Sequence, residues 1–367
     1  MKNQKTLKKN FNNIAKKYFL CDFCSLRLTS KKPKRKNQKC FICKNIFEQS
    51  DNIITRILDA VSLYDFTTFE LGIVLKPSVL DRDDHIKSQF QIKGVSSIKA
   101  DINHQLSKVF SHKTNTKISH IDPDLIIQIN MKDDSYEIYS KPTFIYGRYI
   151  KNIRTLTQKQ RKCNNCSGKG CHACNFHGLK NFNSVEGRIT EFLIRKFDCK
   201  QVKINWLGGE EKSSLVFGNG RPFFAKIINP KKRKRILRRR IKLNGIELIE
   251  LRKILEPPKN PIYLKSKVSI SIKTENAIRS NVLNNLAKLQ MPLEIQMNER
   301  KVSIKKLYKI RAKKISSNFL KIELDMDSGV PIRKLNQNTT ITPNFTNLLK
   351  TKCECIQFDF KKIDVVS

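Results

Sequence analysis

Acidic side chains are scarce in this sequence: 32 Asp and Glu face 73 Lys and Arg, leaving a formal charge of +41. An excess of that size goes well beyond what solubility needs and points to a polyanionic partner. Long apolar runs are missing as well. No stretch approaches the roughly 18–20 residues that span a bilayer, and the basic start MKNQKTLKKNFNNIAKKYFLCDFC lacks the ~7–15-residue apolar centre of a secretory signal. With no anchor and no basic amphipathic helix to lie on lipid, the expected partner is nucleic acid, not a membrane, and the expected location is a reducing cytoplasm. Repeats and low-complexity tracts are also missing, which sets aside solenoids and disordered tails. What remains is a chain of 367 residues, 39% hydrophobic, long enough for two or three domains with their own cores.

In a reducing compartment eleven cysteines read as metal ligands or small buried hydrophobes sooner than as disulfides. Eight of them fall into CxxC pairs. Cys21, Cys24, Cys40 and Cys43 are spaced C-x2-C-x15-C-x2-C, with the basic loop KKPKRKNQK between the pairs. Cys163, Cys166, Cys171 and Cys174 are closer together, and Gly168 and Gly170 supply the tight backbone that their approach requires. Each CxxC turn points two thiolates at one centre, and two turns close a tetrahedral set with no open position, which predicts two structural zinc ions and no catalytic one. His172 and His177 are left over as spare donors. Cys199, Cys353 and Cys355 lack ligand spacing and are expected to be buried thiols.

Apolar periodicity gives an α+β chain. Helices are expected over ITRILDAVSLY (54–64), from about Ser96 to Phe110, over SVEGRITEFLIRKF (184–197, stripe Val185, Ile189, Leu193, Phe197) and over 275–289. Strands are expected at FELGIVLKPSVL, entering a turn at Lys76-Pro77, and in two strands joined by Asp-Asp-Ser before Pro142. Further strands are expected at QVKINWLGG, at two strands around an Asn-Gly turn in SSLVFGNGRPFFAKIINP, at KVSISIKT, at SSNFLKIELDMDSG, and in an edge-compatible strand that ends the chain. The run 231–240 holds eight basic residues, interrupted only by Ile236 and Leu237. Such density predicts phosphate contacts, which position RNA without reading its sequence.

Three stretches in order, FIYGRYIKNIRTLTQ (144–158), the four-cysteine cluster running into SVEGRI, and FGNGRPFFAKIINPKKR (217–233), resemble the archaeal and eukaryotic Pus-ten-type tRNA pseudouridine synthase family. The ending TPNFTNLLKTKCECIQFDF is similar to the family's closing segment, so the resemblance covers nearly the whole chain. It implies a zinc element at 1–53, a THUMP-like RNA-binding domain at 54–158, a second zinc cluster and hinge at 159–180, and a catalytic domain at 181–367. That last domain would be a mixed antiparallel sheet with flanking helices. It also implies isomerisation of T-loop uridines, at tRNA positions 54 and 55, with the T arm as partner and no organic cofactor; protein partners are not legible. A catalytically silent tRNA-binding or tRNA-folding protein of the same family is the alternative.

The family's catalytic aspartate lies in a Gly-Arg-Glu-Asp turn. Counted back from GNGRPF without a gap, that turn falls on Gly208, Gly209, Glu210 and Glu211. Glu211 thus stands at the aspartate position, Glu210 is the second choice, and Gly209 replaces an arginine that would clamp the carboxylate. The family's base-stacking tyrosine falls on Lys267, with Tyr263 nearby. Arg148, Tyr149, Arg221, Phe223, Asn229, Lys231, Lys232, Arg233, Lys234 and Arg235 complete the expected RNA-binding set, with Arg221 beside the turn expected on phosphate or on a carboxylate partner.

Overall fold

The computed structural model describes residues 13–32, 38–46, 50–279, 282, 283, 286, 291–298, 301–336 and 340–366. The chain divides into two compact units, 1–141 with 231–233, and 142–230 with 234–367. The loop segment 33–37 and much of the helix expected over 275–289 lie outside the described residues, although Val282, Leu283 and Leu286 are helical.

The first unit runs through helices α1 (Asp22–Thr29) and α2 (Ser50–Val61), strand β1 (Thr68–Val74), helices α3 (Pro77–Gln89) and α4 (Ile98–Thr114), and strands β2 (Lys117–Ile118), β3 (Leu125–Asn130) and β4 (Ser135–Ser140). Its sheet has the order β2-β1-β3-β4, with β1 parallel to both neighbours and β4 antiparallel to β3. Parallel strands need a long crossover, and α3 and α4 supply it between β1 and β3. Alternating Phe69, Leu71, Ile73 and Leu125, Ile127, Ile129 meet Ile98, Ile102, Leu106 and Phe110 of α4 in one core. Cys24, Leu28, Cys40, Ile42 and Cys43 belong to that same core. The four-cysteine element is therefore not a body of its own at 1–53. Helix α3 was not anticipated: the segment after Lys76 was expected to turn away from a strand, but Pro77 takes the first helical position, where its missing N–H costs nothing.

The second unit contains strand β5 (Thr143–Lys151), helix α5 (Val185–Phe197), strands β6 (Gln201–Trp206), β7 (Val216–Ile228), β8 (Arg240–Leu243), β9 (Ile246–Ile254), β10 (Tyr263–Thr274), β11 (Met291–Asn298), β12 (Lys301–Ser316), β13 (Phe319–Asp327) and β14 (Ile341–Thr342), helix α6 (Phe345–Leu349) and strand β15 (Cys353–Val366). The strands form one sheet in the order β14-β11-β12-β13-β10-β15-β7-β5-β9-β8, with β6 also on β7. β5 pairs antiparallel with β7 and β9, so residues 143–151, expected in the RNA-binding module, belong to the large sheet, and the boundary falls at Lys141-Pro142 instead of at 158. β15 is likewise central, between β10 and β7, and is not an edge. Ser184 caps α5 by accepting from Gly187 N at 2.9 Å, and its expected stripe of Val185, Ile189, Leu193 and Phe197 is fully buried.

GNGRPFF is no hairpin; it lies within the single strand β7. A Cβ on Gly218 would stand 2.3 Å from Lys361 O, and one on Gly220 2.7 Å from Tyr149 O. Both glycines have positive φ, and they let β7 pass close between β15 and β5. Asn219 between them imitates a strand residue: its Nδ2 donates to Ile363 O at 2.9 Å and its Oδ1 accepts from Ile363 N at 2.9 Å. Where the β7–β15 ladder reduces to one registered pair, Val216 with Phe360, this side chain joins the two halves of the sheet.

Candidate active site

Between β6 and β7 the chain runs through Leu207–Leu215, and this loop carries the two adjacent glutamates. They face opposite ways. The Glu210 side chain is 0% exposed and that of Glu211 41%. Glu211 Oε2 accepts from Arg333 Nε at 2.5 Å, and Arg333 also donates to Ser213 Oγ at 2.9 Å and Cys355 O at 3.4 Å. Arg333 comes from the short 3-10 turn Ile332–Leu335, whose Ile332 and Leu335 are buried and so turn the arginine outward. Glu211 raises the Arg333 pKa further above its ordinary value, through that hydrogen bond first. An open depression of about 420 Å³ beside Glu211 is lined by Arg154, Thr155, Lys212 and Ser213.

The backbone under Glu211 is heavily tied. Its carbonyl accepts from Lys151 Nζ at 2.9 Å, Ser214 Oγ at 2.9 Å and Ser214 N at 3.2 Å. Lys151, 0% exposed, also donates to Leu156 O at 3.0 Å and pairs with Glu210 Oε1 at 3.2 Å. From the other side Arg221 Nε lies 3.6 Å from Glu210 Oε2, while its guanidinium sits 4.4 Å from the centre of the Phe360 ring. Neither Glu210 oxygen has well-aligned hydrogen-bond geometry, so the cluster is held by charge more than by directed bonds. Burial raises the Glu210 pKa and lowers that of Lys151, against their mutual attraction. Gly208, φ +79°, is needed here because a Cβ would fall 2.8 Å from Arg221 Nη1. Arg154 closes the loop's far end by donating to Ser213 O at 2.6 Å and gripping Asp359 with both Nη atoms, at 2.7 and 2.9 Å. Asp359 also accepts from Leu215 N at 2.9 Å.

Comparison with known proteins matches residues 144–364 to the family model described as "Pus10, C-terminal" and residues 53–130 to "Pus10 THUMP domain, archaeal". This chain belongs to the Pus10 family. A protein of Nitrosopumilus maritimus named tRNA pseudouridine synthase Pus10 is 36% identical to it over 96% of this chain and 97% of its own length. Proteins of the same name from Cenarchaeum symbiosum and Archaeoglobus fulgidus are 29% and 26% identical, covering 95% and 81% of this chain and 90% and 87% of their own. The α+β class expected from the sequence agrees with the Pus10 family and with the two units described above.

Both cysteine quartets converge, with the four sulfur atoms of each within 4.8 Å of one another. In the second, Cys163–Cys171, Cys166–Cys174 and Cys171–Cys174 sulfurs are 4.0, 3.9 and 3.8 Å apart, close to the ~3.8 Å edge of a tetrahedron with Zn–S near 2.3 Å. Backbone N–H groups of Gly170, Cys171 and Gly178 point at Cys166 and Cys174 sulfurs at 3.2–3.3 Å. Burial raises the Cys174 thiol, and the N–H groups of Cys171 and Gly178 outweigh it, bringing the pKa down to about 6. The neighbouring Cys171 thiol goes the other way, pushed up to about 11 by burial. In the first quartet Cys21 and Cys43 sulfurs are 3.5 Å apart. Cys199, Cys353 and Cys355 are buried thiols, as expected.

Several expected RNA contacts are instead interior. Arg221 is 1% exposed, and Phe223 and Tyr149 are 0%; Tyr149 OH accepts from Gln158 Nε2 at 3.0 Å. Arg148, 5% exposed, donates to the carbonyls of Asn219, Gly220 and Ile363 and to Tyr146 OH. Arg148, Tyr149 and Phe223 are corrected from RNA-binding to interior residues of the sheet, and Arg221, expected on phosphate or on a carboxylate, takes the carboxylate of Glu210 at 3.6 Å. Arg233 is also committed to protein, donating to Lys141 O and facing Asp124 at 3.5 Å within the first unit. Asn229, Lys231 and Lys232 are half-buried, while Lys234, Arg235, Arg238 and Arg239 are exposed on an irregular stretch, not a helix. Lys267 pairs with Glu323 at 3.6 Å, and Tyr263 is 70% exposed. Sequence reasoning missed Arg333, Lys151 and Arg154: Lys151 and Arg154 lie within the FIYGRYIKNIRTLTQ stretch, which was the available signal for them, while no motif marks Arg333, and the fold brings all three to the turn.

Proposed function

We propose that this protein is a cytoplasmic tRNA pseudouridine synthase acting on T-loop uridines, with Glu211 as the acting carboxylate and zinc ions held by the two cysteine quartets in a structural role. The observation that carries the reading is the division of labour in the turn: Glu211 faces solvent on a backbone fixed from beneath, and Arg333 supplies the cation that Gly209 does not.

Isomerisation of uridine breaks the bond from ribose C1′ to uracil N1 and forms one to C5, with no net gain or loss of atoms other than proton exchange with water. It needs a carboxylate close to the ribose, as nucleophile at C1′ or as base toward the C2′ proton, and a uridine extruded from its stack at a cost of a few kcal/mol. Glu211 is the accessible acid in the loop, while the Glu210 side chain is 0% exposed. The charge-assisted bond from Arg333 restricts the Glu211 carboxylate to one orientation. Glutamate reaches about one methylene farther than the family's aspartate, and a carboxylate held at a fixed point by Arg333 accommodates that length. The zinc ions, when bound, supply no step of the reaction; they lock the ends of the segments that carry them.

The test is incubation of purified protein with an unmodified tRNA transcript, followed by mapping of pseudouridine with a carbodiimide. Product confined to the T loop and abolished by Glu211→Gln is expected. Tight tRNA binding with no product would favour the silent tRNA-binding alternative.

A further inference from the structure

A pocket of about 510 Å³, away from the glutamate turn in sequence, is walled by three segments of the second unit: Phe182 and Asn183 after the second cysteine quartet, the outer face of α5, and Leu243 and Asn244 at the β8–β9 turn. We infer that it receives a single unpaired nucleotide of the RNA substrate, its base against Phe182 and Phe192 and its phosphate against Arg188 and Lys196. The volume is in the range of sites for small organic ligands, roughly 300–1,000 Å³.

The walls are rigid. The backbone of Phe182 passes so close to α5 that a Cβ on Gly187 would lie 2.4 Å from it, and the Phe182 ring packs on His177 with centroids 4.5 Å apart. Phe192 is half-buried, packing from α5 against the main core while it lines the pocket. Arg188 is threaded under the β8–β9 turn, where Gly245, φ +71°, leaves just enough room: a Cβ there would stand 2.6 Å from Arg188 Nη1. That Nη1 is buried without an acceptor among the described residues, and Arg188 is at the same time part of the pocket wall. Glu191, the acid of the wall, is taken by Arg195 at 2.6 Å. Arg188 and Lys196 then leave the pocket electropositive, and two phenyl rings beside a guanidinium suit sequence-tolerant stacking of a base. An acidic peptide would satisfy the charge but leave both ring faces without a planar partner.

The inference rests on the proposed RNA substrate. Arg188→Gln and Lys196→Gln, singly and together, are to be compared with the full-length wild type for tRNA affinity as a function of salt, and for isomerisation at saturating tRNA. The double variant should bind tRNA about tenfold more weakly, with the slope of log affinity against log salt reduced by ~0.7 for each phosphate no longer neutralised. Its rate at saturating tRNA should fall less than its affinity does, and a melting curve separates that binding defect from unfolding. A tRNA carrying 4-thiouridine in an unpaired stretch should cross-link to the peptide containing Phe182–Lys196. Unchanged affinity and slope in variants of a wild type that binds tRNA normally would overturn the pocket and leave the proposed function standing. So would residues that respond to free uridine monophosphate and not to tRNA. Failure of wild type itself to bind tRNA would instead remove the function on which the pocket depends.

Discussion

Glu210 and Glu211 are neighbours of one residue type, and exchanging each for glutamine should have opposite consequences. The Glu211–Arg333 pair has side chains 41% and 44% exposed, and exposed pairs contribute about 0.2–1 kcal/mol. Glu210 is the anion between two cations, Lys151 at 3.2 Å and Arg221 at 3.6 Å, all three at most 1% exposed. Removing one partner of such a buried group costs about 3–5 kcal/mol, because the charges left behind are neither paired nor hydrated. For a unit of this size each kcal/mol moves the melting temperature by about 2–4 °C. Glu211→Gln should therefore melt within about 4 °C of wild type and lose pseudouridine formation entirely. Glu210→Gln should melt about 6–20 °C lower, and below its transition it should keep part of its activity, reduced through displacement of the turn. Calorimetry and carbodiimide mapping on the two variants decide it. A Glu210→Gln protein as stable as wild type, or a Glu211→Gln protein that melts early and still makes pseudouridine, would refute the assignment of roles.

Lys151→Met removes the donor to the carbonyls of Leu156 and Glu211 and should lower kcat by about a hundredfold through a shift near 1 Å, with KM for tRNA unchanged; a KM effect alone would count against a positioning role. Gly208→Ala forces a left-handed residue and a close approach to Arg221, and should destabilise the protein by about 2 kcal/mol in denaturant titration. For Asp359, burial raises the pKa but the bonds from Arg154 and Leu215 N–H outweigh it and hold it below its ordinary value; its stabilisation is present above the unfolded carboxylate pKa near 4 and is lost as pH falls through the lower folded value. Asp359→Asn should thus flatten the acid limb of stability against pH, and an unaltered limb would show that the Arg154 grip is energetically idle. Chelation of the two quartets should lower the melting temperature and release two zinc ions per chain, measured by metal analysis.

Period and spacing carried a good part of this architecture. The stripe of α5, the alternation in β3 and both cysteine quartets follow from local rules that tertiary structure did not override. GNGRPF was read as a turn because Asn-Gly between apolar runs is the strongest hairpin signal at short range. Its glycines serve instead the close passage of β7 between two strands, both far away in sequence, a demand that leaves the same residue types behind. The burial of Arg148 and Arg221 was illegible for a related reason. In a chain with 73 basic residues, nothing local separates an arginine that binds phosphate from one that ties three carbonyls together. Ile332 and Leu335 hint at a turn with one face out, but which acid Arg333 would meet depends on a separation of 122 residues.

An anion near a phosphate-binding surface repels the ligand, so a single exposed glutamate has to be kept oriented without being buried. The GGEE turn meets this by sending its two adjacent acids opposite ways, the Glu210 side chain 0% exposed and that of Glu211 41%. The inward residue takes the two buried cations and anchors the loop; the outward one is left to an arginine that arrives from another strand connection. The arginine missing at Gly209 is thereby replaced twice over, by Arg221 on the inner acid and by Arg333 on the outer. Restoring an arginine by Gly209→Arg should therefore bring little, since the Glu211 carboxylate already has its cation. A large gain in kcat on that substitution would mean that the Glu211–Arg333 pair holds the carboxylate away from its working position.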